Sequence, residues 1–163
     1  MVFADVSAGL KEMHRLLRPG GVCAFSSWQH VGWYADVQEA FATNPDIPVM
    51  PSQSQMVAAF SPAGNTAWHQ PEWIEEQLRI HGFGDIEVNV VPRKMGMPSI
   101  DLFFPSVSVL LGGVIKIWTE EQRQNFDVPY LVSLLKKHLT EKYGDGEVVW
   151  DWIAVLSTSR KPA

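Results

Sequence analysis

Three side chains in this 163-residue sequence have the chemistry and the context for acid–base work. His30 follows a short apolar run, and an imidazole changes its charge near neutral pH, so His30 is the first candidate for a general acid or base. His69 follows Trp68 in a long irregular segment, and Asp101 precedes the apolar residues 102–104. The ordinary alternatives are hydrogen-bonding loop residues for the two histidines and a helix N-terminal acid for Asp101.

The aromatic content is high, with seven Trp, eight Phe and three Tyr. Large aromatic side chains supply core area, but they also form pockets for flat apolar ligands. Those that fall in predicted loops or lid segments are candidate substrate contacts, together with one neighbouring amide; the set is Trp28, Gln29, Trp33, Phe60, Trp68, Phe103 and Phe104. The set predicts a hydrophobic small-molecule ligand, and a place in the core is the alternative for each aromatic residue.

The composition excludes several classes of partner. A net charge of −5 and a pI near 5.5 provide no basic stripe for a nucleic acid. The longest apolar stretch, residues 107–118, is interrupted and too short to span a bilayer, so no membrane contact is expected. Cys23 is the single cysteine and has no Cys/His partners at metal-binding spacing. We expect a reduced core thiol, no metal, and a soluble cytoplasmic protein.

The elements that must position these residues follow from periodicity and from Pro and Gly. The near-continuous apolar run 22–27 predicts a strand buried on both faces, with a loop at 28–33. Segments 44–70 and 95–118 are too apolar for plain linkers, so they are predicted lids or pocket walls of a single domain, 1–163. The remaining predictions are helices at 7–17, 34–43, 71–81, 100–117 and 129–144, and strands at 86–90 and 147–158.

The segment Gly9–Val22, which reads GLKEMHRLLRPGGV, carries a family resemblance. A helix, a Leu-Arg-Pro-Gly-Gly turn and a buried strand in this order resemble the surroundings of the fifth strand in class I S-adenosylmethionine-dependent methyltransferases. The resemblance is to the UbiE/COQ5-like kind, especially small-molecule enzymes of fungi. Residues 71–74 with 82–83 look like the helix before the sixth strand, and 149–161 look like the seventh. The resemblance implies an α/β, truncated Rossmann-like methyltransferase fold with a three-stranded mixed sheet (family strands 5, 7, 6), flanking helices and an aromatic lid.

The resemblance reaches only the C-terminal half of that family. The family's cofactor is held by the other half, through a Gly-rich loop after the first strand and an acid after the second. In this chain Gly20-Gly21 is a helix stop and Gly112-Gly113 lies inside an apolar run, so no residue is matched to a cofactor ligand. We therefore expect no cofactor and no methyl transfer by this chain alone. The implied strand order also leaves the strand at 22–27 with a bare edge, which predicts a homodimer through that edge.

Three functional hypotheses follow. The leading one is a methyltransferase-like enzyme of secondary metabolism that does not methylate but promotes a cyclisation, rearrangement or elimination of a hydrophobic small molecule, as a pericyclase, isomerase or lyase. The second is a C-terminal fragment or split half of a small-molecule methyltransferase. The third is a non-catalytic pseudo-methyltransferase partner. Binding of S-adenosylmethionine, to the chain alone or only with a second protein, separates these hypotheses.

Overall fold

The structure, a computed structural model, describes residues 5–59, 67–144 and 146–163. The predicted helices and strands are confirmed, with ends that shift by a few residues. The strand predicted at 86–90 is longer and reaches into the segment 95–118. In chain order the elements are α1 Val6–Leu16, β1 Val22–His30, α2 Tyr34–Ala42, α3 Gln53–Ala59, α4 Pro71–Ile80, β2 Gly84–Met97, a 3-10 helix Ile100–Leu102, α5 Phe104–Ile117, α6 Glu120–Asn125, α7 Val128–Tyr143 and β3 Val148–Arg160.

The three strands form one sheet in the order β1-β3-β2. This order and the α/β class confirm what the resemblance implies for family strands 5, 7 and 6. β1 runs antiparallel to β3, with Val22 opposite Arg160 and Trp28 opposite Ala154. The sheet differs from the prediction in one respect: it is antiparallel and not mixed, because the central β3 runs against both of its neighbours.

The chain divides into two compact units. Among the described residues the first unit contains 5–31, 67–93 and 152–163, and the second contains 32–59, 94–144 and 146–151. None of the helices in these ranges is both long and apolar enough to cross a membrane.

The core of the first unit joins α1 and α4 to one face of the sheet. Leu10, Ile74 and Leu78 are fully buried there, and Cys23 and Val155 belong to the same cluster. Burial raises the pKa of the Cys23 thiol, which keeps it protonated and unreactive. The free, buried cysteine agrees with the predicted core thiol.

His81 ties the end of α4 to the start of α1. Its Nδ1 lies 2.7 Å from the carbonyl oxygen of Gln77, and its Nε2 lies 2.9 Å from Oγ of Ser7. A carbonyl oxygen only accepts, so Nδ1–H donates to Gln77, and Nε2 forms a hydrogen bond with the Ser7 hydroxyl. Both nitrogens of this helix-terminal histidine are therefore used in structure.

The opposite face of β1 is open. Cys23 and Ser27 are buried, whereas Val22, Ser26 and Trp28 are exposed, so burial alternates along the strand. The prediction of a strand buried on both faces was wrong. An apolar run suits a strand covered on one face as well as one covered on both, and no element in the described part of this unit covers the second face. The predicted loop at 28–33 also begins later, because β1 continues to pair with β3 through residue 30, with a shift in the pairing after Trp28.

The second unit is built on α7. Leu131, Leu135 and Leu139 lie four residues apart and are fully buried, so they form one stripe along the helix. α7 contacts α2 and α5, and α3 contacts α5. Thr119 forms a capping box with Gln122 at the start of α6. The helix predicted within the segment 95–118 is also confirmed, as α5.

Two isoleucines of α4 provide a test of the first core. Ile74 is fully buried and Ile80 is 63% exposed on the same helix. Replacing Ile74 with Ala removes packed side-chain volume, so Ile74→Ala should lower the free energy of unfolding by about 2–5 kcal/mol. Ile80→Ala should change it by less than about 0.5 kcal/mol. Urea unfolding of both variants measures this, and equal losses would contradict the assigned core.

Candidate functional site

A buried carboxylate, Asp36 on α2, is the centre of the polar cluster of the second unit. Its Oδ1 accepts from Nζ of Lys142 at 2.7 Å. Its Oδ2 accepts from the Tyr143 hydroxyl at 3.1 Å and from Nε1 of Trp150 at 2.5 Å. Both oxygens are thus occupied by donors from α7 and from the start of β3. This arrangement satisfies a buried charge that would otherwise be costly.

The cluster extends to the surface through Glu39, one turn further along α2. Its Oε2 accepts from Nζ of Lys142 at 2.6 Å and lies 3.2 Å from Nε2 of His138. The hydrogen bond from Lys142 lowers the pKa of Glu39, and the hydrogen bonds to Asp36 and Glu39 raise the pKa of Lys142. Burial raises the pKa of Tyr143, so its hydroxyl stays a donor. We call Asp36, Glu39, His138, Lys142, Tyr143 and Trp150 the Asp36 cluster.

Asp36, Glu39 and His138 also place three possible metal-ligand atoms within 4.8 Å of one another. The ammonium group of Lys142 is bonded to both carboxylates, so it already occupies the position that a cation would take. Metal binding would have to displace this buried ion pair. The arrangement is therefore better suited to holding α2 against α7 than to metal chemistry.

An apolar groove lies beside the same helix. It has a volume of about 360 Å³, and its wall is the segment 44–50 that follows α2. The groove is lined by Gln38, Phe41, Ala42, Asn44, Pro45, Ile47, Pro48, Val49 and Met50. None of these residues is charged, and most are apolar. The volume and lining fall in the range of small-molecule sites in proteins.

The wall of the groove is held at both ends. Near its start, the amide of Asn44 donates to the Tyr130 hydroxyl at 3.0 Å, and its Oδ1 accepts from the backbone N–H of Asp46. Beyond its end, the Tyr34 hydroxyl donates to the carbonyl oxygen of Pro51 at 2.9 Å. Burial raises the pKa of Tyr34, so this donor persists at neutral pH. Hydrogen bonds within the second unit therefore fix the wall of the groove.

Four predicted site residues lie in the second unit around Phe103. The ring of Phe103 lies 6.5 Å from Trp33 and 6.2 Å from Phe104, centroid to centroid, and Phe103 is buried. Asp101 is exposed and forms an ion pair with Lys136 at 3.1 Å, and the same ammonium lies over the Phe104 ring. Asp101 thus has the surroundings of a surface acid near a helix start, the ordinary alternative for this residue.

Three predicted site residues are consecutive at the end of β1 in the first unit: Trp28, Gln29 and His30. Trp28 contacts Trp152 with ring centroids 4.8 Å apart. The pairing with β3 shifts between Trp28 and His30, so Gln29 sits at an irregularity of the strand. Such a bulge turns side chains away from the regular alternation. Their predicted roles in binding and acid–base chemistry stay predictions.

Trp68 and His69 also lie in the first unit, and Phe60 lies outside the described residues. Trp68 is buried against Phe25 and Trp73, and its carbonyl oxygen accepts from Oγ of Ser27 at 2.6 Å. Its position is therefore that of a core residue rather than of a lid. Burial lowers the pKa of His69, which favours the neutral imidazole.

Sequence reasoning did not single out Asp36, although one signal was present. Val37, Ala40 and Phe41 predict the inward face of α2, and Asp36 lies four residues before Ala40, on that same face. An acid on an apolar helix face needs a buried partner. The identity of that partner, Lys142, has no local signal because it is 106 residues away.

The chain is similar over nearly its whole length to fungal methyltransferases. Acetylaranotin bis-thiomethyltransferase of Aspergillus terreus is 30% identical over 156 residues, which cover 93% of this chain and 54% of that protein. Methyltransferase tpcH of Aspergillus fumigatus is 28% identical over 99% of this chain and 56% of that protein. Methyltransferase ktnA of Aspergillus niger is 28% identical over 99% of this chain and 52% of that protein.

The chain spans about half the length of the curated relatives it matches. No protein-family profile matches it. The relatives agree with the predicted resemblance to fungal methyltransferases, and the narrower assignment to the UbiE/COQ5-like kind stays a prediction.

The Asp36 cluster makes a testable contribution to stability. Asp36→Ala leaves the donors on α7 and β3 without their acceptor, so the free energy of unfolding should fall by about 3–5 kcal/mol. The control is Glu141→Ala, which removes an exposed acid 3.9 Å from Lys137 on α7 and should cost less than about 1 kcal/mol. Urea unfolding followed by tryptophan fluorescence provides the measurement. A loss in Asp36→Ala no larger than in the control would show that the cluster is not a structural anchor.

Proposed function

We propose that this chain is the acceptor-side portion of a small-molecule methyltransferase, and that methyl transfer requires a cofactor-binding portion that the chain itself does not supply. The observation that carries the proposal is the pattern of similarity: almost all of this chain aligns, but only about half of each fungal methyltransferase is covered. This favours the fragment or split-half hypothesis over an independent cyclase. Independent cyclisation stays a prediction, as does the cytoplasmic location.

The first unit provides physical support for the proposal. Helices cover one face of the sheet, while Val22, Trp28 and Leu156 are exposed on the other. α/β folds normally bury both faces of a sheet between helices. β1 is also an edge strand. An open apolar face next to a free edge is a surface that a further portion of such a protein would cover.

A chimera tests the proposal directly. The chain replaces the aligned portion of acetylaranotin bis-thiomethyltransferase, and calorimetry with S-adenosylmethionine is performed on the chain alone, on the chimera and on the intact relative. We expect no heat of binding from the chain alone, because none of its residues is matched to a cofactor ligand. The chimera should bind with an affinity within about tenfold of the intact relative, a difference of about 1.4 kcal/mol.

Two outcomes would overturn the proposal. Binding of S-adenosylmethionine to the chain alone would place a cofactor site within it. A folded chimera that fails to bind while the intact relative binds would show that this chain cannot replace its aligned portion. A circular dichroism spectrum of the chimera, compared with that of the relative, establishes that it is folded.

The chain alone should pair through the free edge of β1, because an uncovered strand edge is a template for another strand. We propose a two-fold homodimer, with the edge covered instead by the cofactor-binding portion in the chimera. Size exclusion with light scattering at micromolar concentration should give a dimer for the chain alone and a monomer for the chimera. A monomeric chain would contradict this assembly.

A further inference from the structure

We infer that the apolar groove between α2 and the segment 44–50 is a binding site for a neutral, mostly apolar small molecule. As the acceptor site of the methyltransferase this assignment rests on the proposed function. As a ligand site it stands on the geometry of the second unit alone. None of the described site residues selected from sequence lines this groove, but its wall falls within the predicted lid or pocket-wall segment 44–70.

The lining defines the chemistry of the ligand. Phe41, Ile47 and Met50 are buried and form an apolar floor, whereas Val49 is 88% exposed at the rim. None of the described residues that line the groove is charged, so an ionic ligand would lose its hydration without gaining a charged partner among them. A volume of about 360 Å³ suits a flat polycyclic molecule.

The polar groups at the groove are few. Gln38 is exposed at its edge and presents an amide that can donate or accept. Asn44 already uses its Nδ2 on Tyr130 and its Oδ1 on a backbone N–H, so it mainly holds the wall. One or two polar groups in an apolar site are enough to orient a ligand. We therefore assign a ligand with one or two hydrogen-bonding groups at its periphery.

The floor continues into a cluster of aromatic rings. The ring of Phe41 lies 5.9 Å from that of Trp118, which in turn lies 6.5 Å from Phe126. The indole N–H of Trp118 is buried and has no hydrogen-bond partner among the described residues. An unpaired buried donor is uncommon in proteins.

The backbone of the groove wall is restrained by prolines and by turn hydrogen bonds. Pro45 and Pro48 fix two of the backbone φ angles in its wall. The backbone N–H of Asn44 donates to the carbonyl oxygen of Phe41, and that of Ile47 donates to the carbonyl oxygen of Asn44. Two successive turns therefore fold the wall. A preformed site spends little of its binding free energy on ordering the protein. Val49 is exposed at the rim of the groove.

Nile red, a neutral, flat and apolar dye with one carbonyl acceptor, is the probe. Ala42 lines the groove and Ala35 lies on the same helix outside it, and both are exposed. Ala42→Trp fills the groove and should weaken dye binding by about tenfold or more, whereas the matched Ala35→Trp should change it by less than about twofold. Fluorescence titration of the full chain and both variants measures the affinities. Equal affinities in all three proteins, or no saturable binding to the wild type, would overturn the site.

A second measurement does not depend on the variants folding. In the wild-type chain labelled at its methionine methyl groups, Nile red should shift the NMR signal of Met50 and leave that of the exposed Met95 in place. A shift of Met95 without a shift of Met50 would also overturn the site. Dye binding in the groove with a chimera that fails to bind the cofactor would reject the proposed function only. No dye binding in the groove, together with a chimera that binds the cofactor, would reject only the groove.

Discussion

The second unit depends on one buried carboxylate. Asp36 lies on a helix face that otherwise consists of apolar residues, and removing a carboxylate from water costs several kcal/mol unless its oxygens are fully paired. Lys142, Tyr143 and Trp150 supply that pairing from two elements more than 100 residues away in sequence. A small shift of α2 against α7 or the start of β3 would take the buried carboxylate away from its donors. The ion pair is therefore a constraint on geometry more than a source of net stability.

This constraint has a consequence for the groove. α2 contributes Asp36 to the cluster and, along the same helix, Phe41 and Ala42 to the groove. A helix that is held at its buried acid presents its groove-lining residues in a constant position. The segment 44–50 leaves that helix directly and is held again at Pro51 by the Tyr34 hydroxyl. Directional hydrogen bonds thus hold the groove in position. The apolar contacts between its own residues have no preferred direction and could not do so alone.

The first unit has the opposite character. Its core is apolar and one-sided, with Leu10, Ile74 and Leu78 packed on one face of the sheet. On the other face Val22, Trp28 and Leu156 remain exposed, and Trp28 contacts Trp152. The open face, the edge position of β1 and the half-length similarity to fungal methyltransferases are independent observations that support the same proposal. They concern a surface that needs a cover, whereas the groove of the second unit is already formed.

The sequence by itself determined the positions of the elements, because the signals for them are local. Pro71 begins α4, Gly82 takes a positive φ of 84° at its end, and Thr119 forms its capping box within four residues. The strand order followed from the resemblance to a known fold. Only the tertiary structure decided which face of each element is buried and which polar groups meet. Apolar content in β1 is compatible with one or two covered faces, and an acid such as Asp36 finds its partner by long-range packing that leaves no trace in neighbouring residues.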